Sequence, residues 1–268
     1  MPEPDVFLNS AGDPISILDY QGNATVVYRY GQSHWPSAYN SGYLGDPGAL
    51  TALAGSTISV ADTVIENRLI DDAIRPDADG IIIRNCVLTA GWFGVDATSA
   101  ATNLLIEDCT IIGGANCGIA LNGMVGATVR RCNISGGADG MKVGGTDITV
   151  RDNYIHDLAQ AAESHNDGIQ CSSGTGLSFL HNWIASPDTS CIAMFAGQGT
   201  WTDVLIQDNY LTGPGYPLYA AGADGTYIRI QTNTFGTWGY GPVSDWNSAG
   251  TGNVWSGNVL PDGTPVNP

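Results

Sequence analysis

Short apolar, β-branched phrases that end in a polar residue recur along most of the chain. The central phrases are IIIRNC, LIEDC, TVRRC, TVRDN, FLHN, LIQDN and RIQTN, with VIEN before them and VWSGN after them. Their last residues are Asn67, Cys86, Cys109, Cys132, Asn153, Asn182, Asn209, Asn233 and Asn258. From Cys86 onward the intervals between them are 23, 23, 21, 29, 27, 24 and 25 residues. Repeats of this length are too short for two helices each and indicate a parallel β-helix, in which every repeat forms one coil.

A second phrase follows each polar turn and alternates apolar and variable positions. Its copies are FGVDA, CGIAL, DGMKV, DGIQC, SCIAM and YPLYA, which begin at residues 93, 117, 139, 167, 190 and 216. Alternation along a strand predicts an inward column of Val95, Ile119, Met141, Ile169, Ile192 and Leu218. It predicts an outward column of Asp96, Ala120, Lys142, Gln170, Ala193 and Tyr219. We therefore predict an all-β fold, a parallel β-helix of about nine coils over residues 41–260.

Both ends of the repeat region carry signals of their own. In GDPGALTALAGS, Asp46 is a suitable N-cap, Pro47 a suitable first helical residue and Gly55 a stop. We therefore predict a short helix that covers the open N-terminal end of the core. The other end is predicted to be closed by Trp238, Trp246 and Trp255.

Two short segments lie outside the repeat. Residues 1–40 hold two apolar phrases around Gln21–Gly22–Asn23, which predicts a hairpin in a small attachment or oligomerisation segment. Residues 261–268 are predicted to form a C-terminal tail. The start, MPEPDVFLNS, lacks the basic and apolar regions of a signal peptide, and no apolar run approaches the roughly 20 residues that span a bilayer. We expect synthesis in the cytoplasm and no membrane span.

Composition narrows the choice of partners and cofactors. The 26 acidic and nine basic residues give a net charge of −17, which disfavours nucleic acid as a partner. No DxDxDG loop is present, so we expect no cofactor and no metal, with Ca²⁺ on surface carboxylates as an open alternative. Three of the six cysteines share one column of the repeat, which favours buried free thiols over disulfides.

The stretch AESHNDGIQC, residues 162–171, carries the best candidates for chemistry. Lys142 is the only lysine of the chain, and it lies one coil from Gln170 on the outward column. Asp139 and Asp167 precede them at Asp-Gly bends. The longest interval, from Asn153 to Asn182, contains the insertion LAQAAESH, which we expect to form a wall beside the sheet and so a groove.

Two reactions suit this groove. The catalytic candidates are Lys142, Asp139, Asp167 and His165, and the binding candidates are Gln170, Asp96, Glu163, His156 and Tyr219. Two carboxylates about one strand spacing apart approach the arrangement of a retaining glycosidase. Alternatively, a lysine or histidine base removes the proton beside a uronate carboxylate, which is β-elimination. The structural alternatives stay open, because Asp-Gly is a common turn dipeptide and Lys142 would balance the two acids.

The sequence resembles the right-handed parallel β-helix proteins of actinobacteria and their phages, within the pectin-lyase-like superfamily. The resemblance rests on WPSAYNSGYLG (35–45), TVIENRLIDDAIRPDADGIIIRNCVL (63–88), GADGMKV (137–143), and NYIHD with SHNDGIQ inside residues 153–170. It implies the handedness of the coils and a polysaccharide as ligand. Lyases of the superfamily use Lys, Arg or Asp with Ca²⁺ on an outward sheet, and Lys142 matches that pattern although no arginine is clearly placed beside it.

Among these relatives the chain is most similar to phage minor tail proteins. That resemblance implies a virion protein of the tail tip or fibre, made in the host cytoplasm, that binds host cell-envelope polysaccharide. It also implies other tail proteins as partners and a homotrimer, by analogy with tail spikes. The alternatives are an extracellular polysaccharide lyase or glycoside hydrolase, and a purely structural virion component.

Overall fold

A computed structural model describes residues 35–98, 101–159 and 165–268, and the backbone of two short strands before them. The chain divides into two compact units, residues 1–34 and residues 35–268. In the first unit, β1 (Ser16–Leu18) pairs with β2 (Ala24–Val26) in antiparallel fashion. The two strands of the hairpin are thereby confirmed, and the loop between them lies outside the described residues.

The second unit is a parallel β-solenoid. Its strands are β3 (Thr51–Ile58), β4 (Val64–Glu66), β5 (Arg68–Pro76), β6 (Ile82–Arg84), β7 (Val87–Ala90), β8 (Phe93–Ala97), β9 (Thr102–Glu107), β10 (Thr110–Gly113), β11 (Cys117–Arg130), β12 (Asn133–Ser135), β13 (Asp139–Arg151), β14 (Tyr154–His156), β15 (Asp167–Leu180), β16 (Trp183–Ala185), β17 (Ser190–Met194), β18 (Trp201–Gln207), β19 (Tyr210–Thr212), β20 (Leu218–Ala220), β21 (Gly225–Gln231), β22 (Thr234–Phe235), β23 (Val243–Ser244) and β24 (Val254–Ser256). Two single 3-10 turns accompany them, at Pro47–Ala49 and Gly222–Asp224.

The strands stack into three faces around one core. Face A holds the starts of β3 and β5, then β7, β10, β12, β14, β16, β19 and β22. Face B holds the ends of β3 and β5, then β8, the starts of β11, β13 and β15, and β17, β20 and β23. Face C holds β4, β6, β9, the ends of β11, β13 and β15, and β18, β21 and β24. The solenoid makes about eight turns rather than the nine predicted, because nine phrase ends bound eight repeats.

The corner between faces C and A is built from a buried polar column. Asn153, Asn182, Asn209, Asn233 and Asn258 are all buried there. Each of these side chains accepts, through Oδ1, the backbone N–H of the residue one coil earlier, at 2.9–3.0 Å. Cys86, Cys109 and Cys132 continue the column toward the N-terminus, and all six cysteines of the chain are buried free thiols.

Asn67 does not belong to that column, although its phrase suggested so. Glu66 pairs with Arg84, so Asn67 lies opposite Asn85, one residue before Cys86. Both asparagines have left-handed backbone angles, φ 55° and φ 50°. Asparagine tolerates this conformation better than most residues, so Asn67 serves the turn and not the buried ladder.

The predicted helix at the N-terminal end is wrong. Asp46 does cap a turn, since its side chain accepts from the N–H of Gly48 at 2.9 Å, and Pro47 begins that turn as expected. That 3-10 turn ends at Ala49, however, and Thr51–Ile58 forms β3, the first strand of faces A and B. Pairing of β3 with β5 outweighs the local helix signals, because each paired residue gains backbone hydrogen bonds along a whole strand.

The C-terminal end is closed, as the tryptophans predicted. Trp238, Trp246 and Trp255 all pack against the core. Trp255 donates from Nε1 to the carbonyl of Val266 at 2.8 Å and lies against Phe235 with ring centroids 5.7 Å apart. The last residues fold back over the end of the core, where Val266 is buried. No helix in the described part of the chain is long and apolar enough to cross a membrane.

Candidate functional site

The outward column of face B matches the predicted register. In successive coils Asp96 pairs with Ala120, Ala120 with Lys142, Lys142 with Gln170, Gln170 with Ala193 and Ala193 with Tyr219. Ala120 and Ala193 are buried between their larger neighbours. The accessible part of the column therefore consists of Asp96, Lys142, Gln170 and Tyr219.

Asp139 and Asp167 lie beside this column but are buried, at 5% and 0% exposure. Asp139 Oδ1 accepts the backbone N–H of Asp167 at 2.9 Å, and Asp139 Oδ2 is 3.4 Å from Lys142 Nζ. Asp167 Oδ1 accepts the hydroxyl of Ser190 at 2.5 Å, and its Oδ2 accepts from Gln170 Nε2 at 3.4 Å. The two carboxyls thus join three successive coils, and each also contacts one side chain of the outward column.

The glycines after these acids are required by packing and not by a turn. A Cβ at Gly140 would lie 2.6 Å from Ile155 Cγ2, and one at Gly168 would lie 2.3 Å from Ile184 Cγ2. Neither glycine has a positive φ. The Asp-Gly dipeptides are therefore positions where face B approaches the isoleucines of face A, which corrects their interpretation as turn residues.

Burial changes the acid strength of this group. The pKa of the Asp167 carboxyl is raised from 3.8 to about 7, chiefly by burial and also by the nearby Asp139, against the lowering effect of the hydrogen bond from Ser190. Burial also raises the pKa of Asp139, against the lowering effect of the Asp167 N–H and of Lys142. The pKa of Tyr219 is raised by burial and next by Asp167. Near neutral pH, Asp167 can therefore be neutral or charged.

An aromatic cluster extends the outward column toward the C-terminal coils. The ring centroid of Tyr219 lies 4.6 Å from that of Phe195 and 5.7 Å from that of Tyr216. Tyr216 in turn lies 5.6 Å from Tyr240, which is 78% exposed. Only Tyr219 was identified from the sequence, because Tyr240 lies in the last coils, where no copy of the second phrase marks the register.

The remaining candidates lie elsewhere or outside the described residues. His165 is exposed just before Asp167, and its only described ionic neighbour is Asp188, with Nδ1 3.9 Å from Oδ2. His156 lies on face A and not beside Lys142; its ring nitrogens are each 2.8 Å from an oxygen, one of Asp157 and one of Asn133. Glu163 and most of the predicted wall fall in residues 160–164, which lie outside the described residues.

Arg75 is a face B residue that the sequence analysis missed. Its Nε lies 3.3 Å from Asp96 Oδ2, so the arginine is the ionic partner of Asp96, the outward-column residue two coils before Lys142. Within the described residues, no three His, Cys, Asp or Glu side chains are grouped closely enough to hold a metal ion.

Comparisons with known proteins concern the fold. No curated protein matches the sequence. Among solved structures, the chain is similar to the A-module of mannuronan C-5 epimerase from Azotobacter vinelandii, with 13% identity and a TM-score of 0.48, over 82% of this chain and 76% of that one. Residues 52–211, more than half of the chain, match the family described as right handed beta helix region. The protein therefore belongs to the right-handed β-helix family.

Proposed function

We propose that the protein binds a polysaccharide along the outward column of face B. The observation that carries the proposal is the cluster of Tyr216, Tyr219 and Tyr240 beside Phe195. Tyr219 lies in the same outward column as Gln170 and Lys142, one coil beyond the buried Ala193. Tyrosine presents a broad apolar face and a hydroxyl at its tip. Sugar rings have the complementary character, with apolar C–H faces and hydroxyl rims. An extended polysaccharide can lie along the outward column, which runs from coil to coil across the parallel strands.

The charges of face B favour a neutral polysaccharide. On the described part of this face, Arg75 is already paired with Asp96 and Lys142 with Asp139. The chain as a whole carries a net charge of −17. A polyanionic glycan would meet long-range repulsion with no spare positive charge to offset it, so we propose a ligand without carboxylate or sulfate groups.

The resemblance to phage minor tail proteins adds a biological setting to this proposal. In that setting the protein is a tail-tip or fibre component that assembles with other tail proteins, and the ligand is the cell-envelope polysaccharide of the host. Binding of neutral glycan by the isolated protein supports the proposal whether or not this setting is correct. Failure to bind any glycan would favour a purely structural role.

Replacing Tyr219 or Tyr240 with alanine is expected to weaken binding of neutral polysaccharide about tenfold each, through loss of ring contact. The measurement is affinity electrophoresis or calorimetry against neutral and acidic host-wall fractions. The matched control is Tyr39→Ala, because Tyr39 is 77% exposed but lies outside face B. Equal effects of the control and the face B variants would place the ligand elsewhere, and tighter binding of acidic fractions would contradict a neutral ligand.

A polysaccharide lyase or glycosidase is the second candidate, supported by the pKa of Asp167 at about 7 beside Asp139 and near Lys142. A carboxyl that exchanges its proton near neutral pH is suited to acid–base chemistry. The burial of both carboxyls argues against it, since the transferred proton has to reach a group on the bound polymer. Binding is therefore the first choice.

Incubation of the protein with the bound polysaccharide is expected to release no new reducing ends and no unsaturated sugars. Lys142→Ala and Asp167→Asn are the comparison variants. Product formation by the wild type that both substitutions abolish, with folding intact by circular dichroism, would replace the binding proposal by catalysis.

A further inference from the structure

We propose that the N-terminal end of the solenoid is an interface for a second copy of this chain. β3 is the first strand of faces A and B, and within the described residues it pairs only with β5. β4, the first strand of face C, likewise pairs only with β6 there. The outer edges of both strands thus present backbone donors and acceptors to whatever lies beyond the first coil.

Several exposed apolar side chains are grouped around this end of the solenoid. Val60 is 69% exposed, Val64 46% and Leu69 41%. Leu53 and Ile58 of β3 are only partly buried against the core. An open strand edge flanked by exposed apolar side chains is the feature that sheet proteins usually cover, because it templates pairing with another strand.

The low charge of the N-terminal end favours a second copy of this chain as its partner. The sequence from the start of β3 to the end of β4, residues 51–66, contains two ionisable side chains, Asp62 and Glu66, and Glu66 is paired with Arg84, in a chain whose net charge is −17. Two copies that meet through this end bring almost no like charge together, whereas contact through most other surfaces would. A strand edge also complements itself, since a two-fold axis places identical strands antiparallel with donors facing acceptors.

The closed C-terminal end determines the form of the assembly. Trp255, Val266 and the returning tail cover the core at that end and stand in the way of a neighbour's N-terminal end. This cover disfavours head-to-tail stacking into filaments, whereas two N-terminal ends can meet edge to edge. The product is a closed dimer, with the outward column of face B accessible on both copies.

Sedimentation or light scattering of the full chain is expected to show twice the 27.9 kDa chain mass as the concentration rises from about 1 to about 100 µM. The variant Val60→Asp/Val64→Asp is expected to weaken dimerisation at least about 100-fold, because it brings four added charges together in the interface. Val125→Asp is the matched control, since Val125 is 49% exposed on a middle coil; it should dimerise like the wild type.

Hydrogen exchange of the wild type supplies a second test that needs no variant. Amides of Thr51–Ile58 should become more protected at the dimeric concentration, and amides of the middle coils should not change. A monomer at every concentration would overturn the proposal. So would a mass of three chains, which instead supports the trimer implied by the tail-protein resemblance, or a dimer that the Val60→Asp/Val64→Asp variant leaves intact.

Discussion

Replacing Asn209 with alanine is expected to lower the free energy of unfolding by about 3–5 kcal/mol, one of the two largest effects that we predict. Asn209 is fully buried. Its Oδ1 accepts both the backbone N–H and the side-chain amide of Asn182, each at 2.9 Å. Its own amide donates to the carbonyl of Phe179 at 2.8 Å and to Asn233 Oδ1 at 2.9 Å. Alanine removes these bonds at once, so the buried backbone N–H of Asn182 and carbonyl of Phe179 lose their partner in the column, and Asn233 Oδ1 keeps only the backbone N–H of residue 209.

Chemical denaturation followed by circular dichroism measures this change. Asn122→Ala is the matched control, because Asn122 lies in β11 but is exposed, and its replacement should alter stability by less than about 0.5 kcal/mol. If the two variants unfold within about 1 kcal/mol of each other, the asparagine column does not hold the coils together and the core alone determines their stability.

The asparagine column shows what the sequence could predict and what it could not. The spacing of the phrases placed Cys132 and Asn153 at equivalent positions of successive coils, and the structure agrees. It could not show that asparagine bonds to the coil before it, because that depends on which backbone N–H faces each side chain. Cysteine fills the same space with much weaker bonds, such as the contact of Cys109 Sγ with the Glu107 carbonyl at 3.2 Å.

At the N-terminal end and on face B, features set by neighbouring residues were predicted correctly, and features set by distant contacts were not. The cap at Asp46 is a local signal and was correct, whereas the fate of Thr51–Ile58 depends on pairing with residues up to 18 positions later. Lys142 and Gln170 were placed together correctly because strand alternation is strict over one phrase. Tyr240 was missed because it contacts Tyr216 from a coil whose phrase is irregular.

The second large effect concerns Asp167 and pH. Its carboxyl has a pKa of about 7 in the folded protein, compared with 3.8 ordinarily. Between these values the folded state holds a proton that the unfolded chain has released, so the free energy of unfolding falls as pH rises from about 4 to about 7. Above pH 7 the loss from this one group is constant, at about 4 kcal/mol. Below about pH 4 Asp167 is protonated in both states and this loss of free energy of unfolding is absent.

Asp167→Asn is therefore expected to stabilise the protein at pH 8, by up to about 4 kcal/mol, and to change little at pH 4. Asparagine keeps an acceptor for the Ser190 hydroxyl, and the Gln170 amide can rotate to accept from the new Nδ2. Unfolding is measured at both pH values, with Asp71→Asn as an exposed control. A variant that follows the wild-type pH profile would mean that Asp167 stays charged in the folded state. Its bonds to Ser190 and Gln170 would then outweigh its burial, and the carboxyl would be a fixed anion beneath the outward column of face B.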